Sequence, residues 1–202
     1  MGVRKRRRSP PLRDFFAVDT ERVLVSTRNE ADGLAHVCIV DSDGNTVYNA
    51  YCRPEWPVVD YRTQFSGITW RHIDGAPGIH EVRREVRRIL DRDDVYVVGH
   101  DLKTDLPAMG LGHVPAWRQR DTALYPPLMQ VDDAGRVYPR KLRDLALSEL
   151  NWDIQCGAHD AEEDAQAAMD IYVRHRGGWE SRMQSGGDVR VKRGTQLYSP
   201  SW

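Results

Sequence analysis

Three short segments of this 202-residue chain carry side chains whose types and spacing could do chemistry. Asp19 and Glu21 lie two apart in FFAVDTE, and a strand's period of two sends both side chains to one face. Adjacent anions there repel unless a cation lies between them. A hard divalent ion takes oxygen ligands and is commonly held by one or two carboxylates plus substrate phosphate, so the pair suits a metal-assisted phosphoryl site. Asp105 follows a buried strand in GHDLKTD. Open α/β sheets gather their sites where strands deliver their ends into loops, so this acid can converge with the first two. In HDAEED, Asp164 falls in the first turns of a helix. His159 must precede that helix, because five helical residues rotate by about 500° and would part the two side chains. From a loop, an imidazole with an ordinary pKa of about 6.5 can fold over the site as a general base for water. Two neighbouring acids have other expected work. Asp101 is placed to cap the short helix after the strand, and Asp160 with Glu163 three residues later has the spacing of a capping box.

The elements that must position these residues can be read in order. FFAVD (15–19) is a short buried strand, and LAHVCIVD (34–41) and TVYNAYCR (46–53) are alternating strands joined by a hairpin signal, Ser42-Asp43-Gly44-Asn45. Ile79, Val82, Val86, Ile89 and Leu90 follow helical spacing, with arginines on the other face. VYVVG (95–99) is a fully buried strand and WRQRD (117–121) a weaker one. Helices are predicted over 140–150 and 160–175, the second on a stripe of Ala165, Ala168, Met169 and Tyr172. Three strands, then helices alternating with strands, predict an α/β fold: a mixed sheet with helices on its faces.

The chain holds 29 Lys+Arg against 30 Asp+Glu, a net charge of −1. As an average, that argues against a nucleic-acid coat protein and a membrane-surface binder. The distribution is uneven. Residues 1–13 carry six basic residues and no acidic one, leaving 23 basic against 30 acidic, or −7, for the rest. The RKRRR run (Arg4 to Arg8) reads as a nuclear or nucleolar address, or as a contact to a phosphate backbone. Cys38, Cys52 and Cys156 are odd in number and lack C-x-x-C spacing, which fits neither a disulfide framework nor a zinc site and suits a reducing, intracellular compartment. No apolar run approaches the roughly 20 residues needed to cross a bilayer, so no membrane partner is expected. The expected organisation is a basic arm (1–13), one domain (14–176) and a Gly/Ser/charge-rich tail (177–202), poorly ordered except where Trp179 or Trp202 packs back. A monomer is the expected state.

FAVDTERV, YVVGHDLKTDLPAM, RDTALYPPL and HDAEEDAQAAMDIY, in this order and spacing, resemble the DEDDh 3′→5′ exonucleases. GLAHVCIVD, Arg53–Glu55, DYRTQFSGIT (60–69) and SELNWDIQ are similar to the branch of Rex-type RNA exonucleases and the interferon-stimulated exonuclease. The resemblance spans about residues 15–175. It implies a ribonuclease H-like fold with a mixed five-stranded sheet flanked by helices. It also implies two divalent ions, Mg²⁺ or Mn²⁺, and release of nucleoside 5′-monophosphates from single-stranded RNA, with single-stranded DNA as a second candidate substrate. Carried across, Asp19, Glu21, Asp105 and Asp164 would hold metal and His159 would be the general base.

The chain departs from that branch where D-C-E-M becomes Asp19-Thr20-Glu21-Arg22. Thr20 is expected to point the other way along the strand, into packing. Arg22 replaces an apolar residue resembling a wedge against the terminal nucleotide, and its guanidinium could stack on a base or contact phosphate. Arg62 matches a position near the terminal ribose, where a bond to the 2′-hydroxyl would favour RNA; an ion pair with Asp60 is the plainer alternative. His100 is expected to fix its loop rather than act as a second base. With Thr20, Arg22 and Arg62 it completes the expected substrate-contacting set. Asp121 is expected to shape a turn or hold a backbone amide, outside the metal set. Tyr61, Phe65 and Trp70 are candidates for the nucleotide pocket, with core packing expected for at least two of them. The rival readings are a DNA-preferring exonuclease and a non-catalytic RNA-binding or ribosome-assembly factor of the same fold.

Overall fold

A computed structural model describes residues 9–27, 31–185 and 195. The strands of its main sheet are β1 (Phe15–Val25), β2 (Ala31–Val40), β3 (Thr46–Tyr51), β4 (Val58–Asp60), β5 (Tyr96–Gly99) and β6 (Gln119–Asp121), and Gln130–Val131 pairs with Val137–Tyr138 in a separate two-stranded sheet. Its helices are the short α1 (Thr63–Ser66) and α2 (Trp70–Ile73), then α3 (Ile79–Leu90), α4 (Leu102–Ala108), α5 (Leu142–Leu145) and the long α6 (Ala161–Gln184). The sheet runs β3-β2-β1-β5-β6, the expected five strands, with the short β4 added beside β1. β1, β2 and β3 are antiparallel, whereas β5 and β6 run parallel to β1. Three residues of VVD are too few to show alternation, which is why β4 has no sequence signal.

Alternation along β1 builds two layers. Phe15 and Ala17 face α6 and pack among Ala161, Ala165, Met169 and Tyr172. Val18 faces the other way, among Val82 and Val86 of α3 and Leu102 and Leu106 of α4. On α3 the buried face is Ile79, Val82, Val86 and Leu90, each such side chain contributing about 1.5–3 kcal/mol by leaving water. Gly99 ends β5 because a Cβ there would come within 2.4 Å of Leu102 Cδ2; its absence lets α4 turn back closely.

One edge of β1 decides where a site can form. It pairs with β5 only over Phe15–Ala17 and with β4 only at Leu24 and Val25. Between those pairings the edge is open, and the β1–β2 register breaks at a bulge between Glu21 and Arg22. Asp19 to Arg22 therefore face a gap in the sheet rather than a neighbouring strand.

The described residues nearest the two ends differ from expectation. α6 continues to Gln184, so the boundary expected at 177 falls inside a helix. Trp179 is fully buried and stacks on Tyr125, with centroids 4.0 Å apart at 7°. Leu12 packs against the same cluster, and the Gln184 amide donates to Ser9 Oγ at 2.7 Å, which ties residues 9–13 to the body. RKRRR and Trp202 lie outside the described residues. The helix expected over 140–150 is α5 followed by a wider π turn, Ala146–Leu150, closed by Asn151 in the left-handed region. No helix among the described residues is long and apolar enough to cross a membrane.

Candidate active site

Three elements bring the four acids together. β1 supplies Asp19 and Glu21 at the gap, α4 supplies Asp105 (3% exposed), and the first turn of α6 supplies Asp164 (2% exposed). Asp160 does cap α6, its carboxylate accepting from the Glu162 amide at 2.9 Å. No capping box forms, because Glu163 instead accepts from the Gln155 amide. His159 stands just before the helix, held by its backbone N–H donating to the Phe65 carbonyl at 2.7 Å. Its Nδ1 is 3.4 Å from Asp164 Oδ2, with the ring nearly half exposed. Ligand atoms of Glu21, His159 and Asp164 all lie within 4.8 Å of one another.

The electrostatics of this group are unfavourable for acids alone. Burial raises Asp19 well above the usual carboxylate range, and Asp105, Asp164 and Glu21 push it further, with Arg22 opposing. Glu21 is pushed up to about 8 by burial, against the pull of His159 and Arg22. Asp105 rises to about 7 for the same first reason, although a bond from Thr20 and the charge of Arg22 lower it. The hydrogen bond to Asp164 raises His159 above its ordinary value despite partial burial. A self-repelling, oxygen-rich donor set fits a hard divalent cation, whose charge would offset the repulsion.

An exonuclease family model (RNase T) matches residues 16–172, which takes in all five of these residues. The chain belongs to the DEDDh exonuclease family. Exonucleases of this family typically use divalent metal ions. Among curated relatives, RNA exonuclease 4 of Aspergillus fumigatus is 38% identical over 178 residues, covering 88% of this chain and 56% of that protein. Human apoptosis-enhancing nuclease is 36% identical over 168 residues, covering 82% and 51%. Human interferon-stimulated 20 kDa exonuclease-like 2 is 34% identical over 173 residues, covering 85% and 48%. The chain spans about half the length of these relatives. In solved structures, the Saccharomyces cerevisiae Pan2 pseudoubiquitin hydrolase–RNA exonuclease module in complex with A7 RNA superposes with a TM-score of 0.69 at 25% identity, over 85% of this chain and 30% of that one. The Neurospora crassa Pan2 catalytic unit shares the ribonuclease H-like fold, with a TM-score of 0.66 at 24% identity, over 88% and 28%.

Two cavities flank the acids. One, of about 340 Å³, contains Asp19, Glu21 and Asp105 together with Arg22, Arg62 and Phe65. The other, of about 510 Å³, shares Asp19, His100 and His159 with the first and has Lys141 and Arg143 on its far wall. Of the three aromatic candidates, Phe65 lines the first cavity and is 61% exposed, and Tyr61 is partly buried, packed against the core cluster that includes Val23 and Ile73. Trp70 is exposed and outside both cavities, under the Arg71 guanidinium, so only one of the three takes the core role expected of two.

Several residues differ from expectation in informative ways. Thr20 does point to the α4 side, yet not into inert packing: its hydroxyl donates to Asp105 Oδ1 at 2.6 Å. It orients a site carboxylate. Asp101 occupies the cap position at a φ of 73° without capping; its carboxylate faces the cavity, 3.2 Å from Lys103 Nζ. The cap is Asp121, reaching across from β6 to accept from the Asp101, Leu102 and Ala123 amides at 2.9–3.1 Å. His100 lies 2.9 Å from Thr122 Oγ1, and burial pushes it down to about 4, so it is neutral at pH 7 and unsuited to be a second base. Arg62 pairs with Asp32 at 2.8 Å rather than with Asp60, whose carboxylate takes the Arg62 backbone amide.

Two residues escaped sequence reasoning. Gln155, in the SELNWDIQ stretch, donates its amide to both oxygens of Asp164 at 2.9 Å from a left-handed turn. Asp32 lines the first cavity between Arg22 and Arg62. Neither has a local signal, because each partner is set by the fold.

Proposed function

We propose that this chain is a divalent-metal-dependent 3′→5′ exonuclease that shortens single-stranded RNA by one nucleoside 5′-monophosphate at a time. The observation that carries this reading is the convergence of Asp19, Glu21, Asp105 and Asp164 from β1, α4 and α6 with His159 beside them. Those four acids would hold two ions, Mg²⁺ or Mn²⁺, which supply Lewis-acid activation of water and offset charge developing on the phosphoryl group and leaving oxygen. His159 accepts the proton of the attacking water. With Nδ1 turned to Asp164, Nε2 is the basic atom left for that task. Water oxygen bonds to phosphorus and the bond to the 3′ oxygen of the preceding nucleotide breaks; that oxygen takes a proton from solvent and leaves as a hydroxyl, and His159 returns the water's proton to solvent. Thr20 and Gln155 hold Asp105 and Asp164 in orientation throughout.

Similarity to RNA exonuclease 4 and to the Pan2 module in complex with RNA favours RNA as substrate. We read the 340 Å³ cavity as the seat of the 3′-terminal nucleotide, with Arg62 at its ribose and Arg22 and Phe65 against its base or phosphate. The second cavity, with Lys141 and Arg143, then takes the phosphates behind it. The Lys141→Ala/Arg143→Ala double variant is expected to raise KM for RNA about ten-fold at moderate salt. It should also flatten the salt dependence by about 0.7 in log–log slope per lost contact. An unchanged slope in fluorescence-anisotropy titrations counts against that assignment. A nuclear or nucleolar location through RKRRR and a monomeric state complete the reading.

The deciding experiment uses 5′-labelled RNA and DNA of one sequence with Mg²⁺, Mn²⁺ or EDTA. A ladder shortening in single-nucleotide steps from the 3′ end is expected for RNA, and EDTA should abolish it. A folded protein inactive on both substrates with both metals would be a binding factor instead, and faster DNA ladders would reverse the substrate preference.

A further inference from the structure

Asp32 stands near the start of β2, opposite Leu24 of β1, with its carboxylate in the active-site cavity. Each of its oxygens addresses a different arginine. Oδ1 is 2.8 Å from Arg62 Nη1, and Oδ2 is 3.8 Å from Arg22 Nη1. The three side chains are 29–43% exposed, so these pairs contribute little to stability. Their consequence is geometric. Two guanidiniums approach one point from different elements, and without an anion between them like charges would drive them apart.

The Arg62 backbone is fixed separately. Its φ is 50°, in the left-handed region, and its amide donates to Asp60 Oδ1 at 2.8 Å. Asp60 therefore sets where the chain turns, whereas Asp32 sets where the long side chain ends. A guanidinium offers five donors, and the contact through Nη1 leaves others free to meet a sugar hydroxyl or a phosphate oxygen.

We propose that Asp32 positions Arg62 and Arg22 as a pair and thereby sets the preference for a ribose over a deoxyribose at the 3′ end. This rests on the reading of Arg62 as the ribose contact. Asp32 is a positioning residue, acting through the two arginines rather than on the scissile bond.

The test compares two RNA oligonucleotides differing only in a 2′-hydroxyl or 2′-deoxy terminal nucleotide, with wild type, Asp32→Asn, Asp32→Ala, Arg62→Ala and the Asp32→Ala/Arg62→Ala double variant. Asp32→Ala is expected to narrow the ribo-over-deoxy ratio of kcat/KM about five- to ten-fold, with Asp32→Asn intermediate. In the Arg62→Ala background it should add no further narrowing. Side-chain ¹⁵Nε relaxation gives a readout independent of activity: the Arg62 Nε–H order parameter should fall in Asp32→Ala. An unchanged order parameter overturns the positioning. Loosened arginines with an unchanged ratio, or additive effects in the double variant, overturn its consequence for selectivity. A wild type without nuclease activity overturns the proposed function instead, and the relaxation measurement still decides whether Asp32 holds the arginines.

Discussion

Asp19→Asn is expected to lower kcat/KM on RNA by about a thousand-fold, yet to make the metal-free protein more stable. The two effects have one cause. Asp19 sits among Asp105, Asp164 and Glu21, and burial together with their charges raises its pKa well above the ordinary value. A carboxyl raised in the folded state destabilises the fold once pH passes its unfolded value, because folding then opposes the ionisation that water favours. Asparagine keeps the shape and removes the charge. In EDTA near pH 7 the variant should therefore gain about 1–3 kcal/mol, the scale of relieving a poorly compensated buried charge. For a chain of this size, thermal denaturation would register this as an increase in Tm of roughly 2–4 °C per kcal/mol. Adding Mg²⁺ or Mn²⁺ should reverse the order. Wild type gains about 2.7 kcal/mol at a metal concentration of one hundred times Kd, and the variant gains less because it has lost a ligand. The loss of activity corresponds to about 4 kcal/mol of transition-state stabilisation, within what a metal site supplies. An asparagine variant less stable than wild type in EDTA would show that the acids are compensated by the protein itself, and the argument for a cation would fall.

How much of this site could be read from the chain follows from which interactions are local. Asp19 and Glu21 share a face through the strand's period of two, and His159 and Asp164 are parted by a helix start, so both pairs are written in adjacent residues. The strands 15–19, 34–41, 46–53, 95–99 and 117–121 and the helix from Ile79 were legible for the same reason. Asp32, Gln155 and the Thr20–Asp105 bond were not. Their partners lie 30, 9 and 85 residues away, and only the folded backbone brings them together. The start of α4 shows this directly: Asp101 has the cap position but makes no cap bond, and it is Asp121 of β6, 20 residues away, that takes the Asp101 and Leu102 amides there. The true end of α6 is hidden in the sequence because Gly177 and Gly178 each disfavour a helix by about 1 kcal/mol. Burial of Trp179 against Tyr125 outweighs that. Gly178 has a further use, since a Cβ there would sit 3.3 Å from the Tyr125 hydroxyl and press on the stacked pair.

That unforeseen end of α6 carries the largest expected stability effect in the molecule. Glu180→Ala should destabilise the fold by about 3–5 kcal/mol, because it leaves the guanidinium of Arg120 buried and unpaired. The pair is 1% and 3% exposed, and its bonds are bidentate: Nε to Oε1 at 2.6 Å and Nη2 to Oε2 at 3.0 Å. Tyr172 adds a hydroxyl to Oε1 at 3.0 Å, and the carbonyls of Trp117 and Gln119 take Arg120 Nη1. Phe15 and Tyr96 lie under the guanidinium. No water can replace the carboxylate at such a site without opening the core. Differential scanning calorimetry should find Tm lowered by about 10 °C, with Glu180→Gln intermediate because one acceptor remains. A chain ending at Arg176 should fare worse, losing Trp179 as well. Replacing both partners by apolar residues, Arg120→Met with Glu180→Leu, should recover most of the loss, since the cost lies in the unpaired charge rather than in the missing bond. A fall in Tm of less than about 2 °C for Glu180→Ala would mean that Arg120 finds solvent or another acceptor. Specific activity of the folded fraction should stay close to wild type at low temperature. Glu180 lies 16 residues along α6 from Asp164, about 24 Å at the helical rise, so the lock that completes the domain is separate from the acids that it supports.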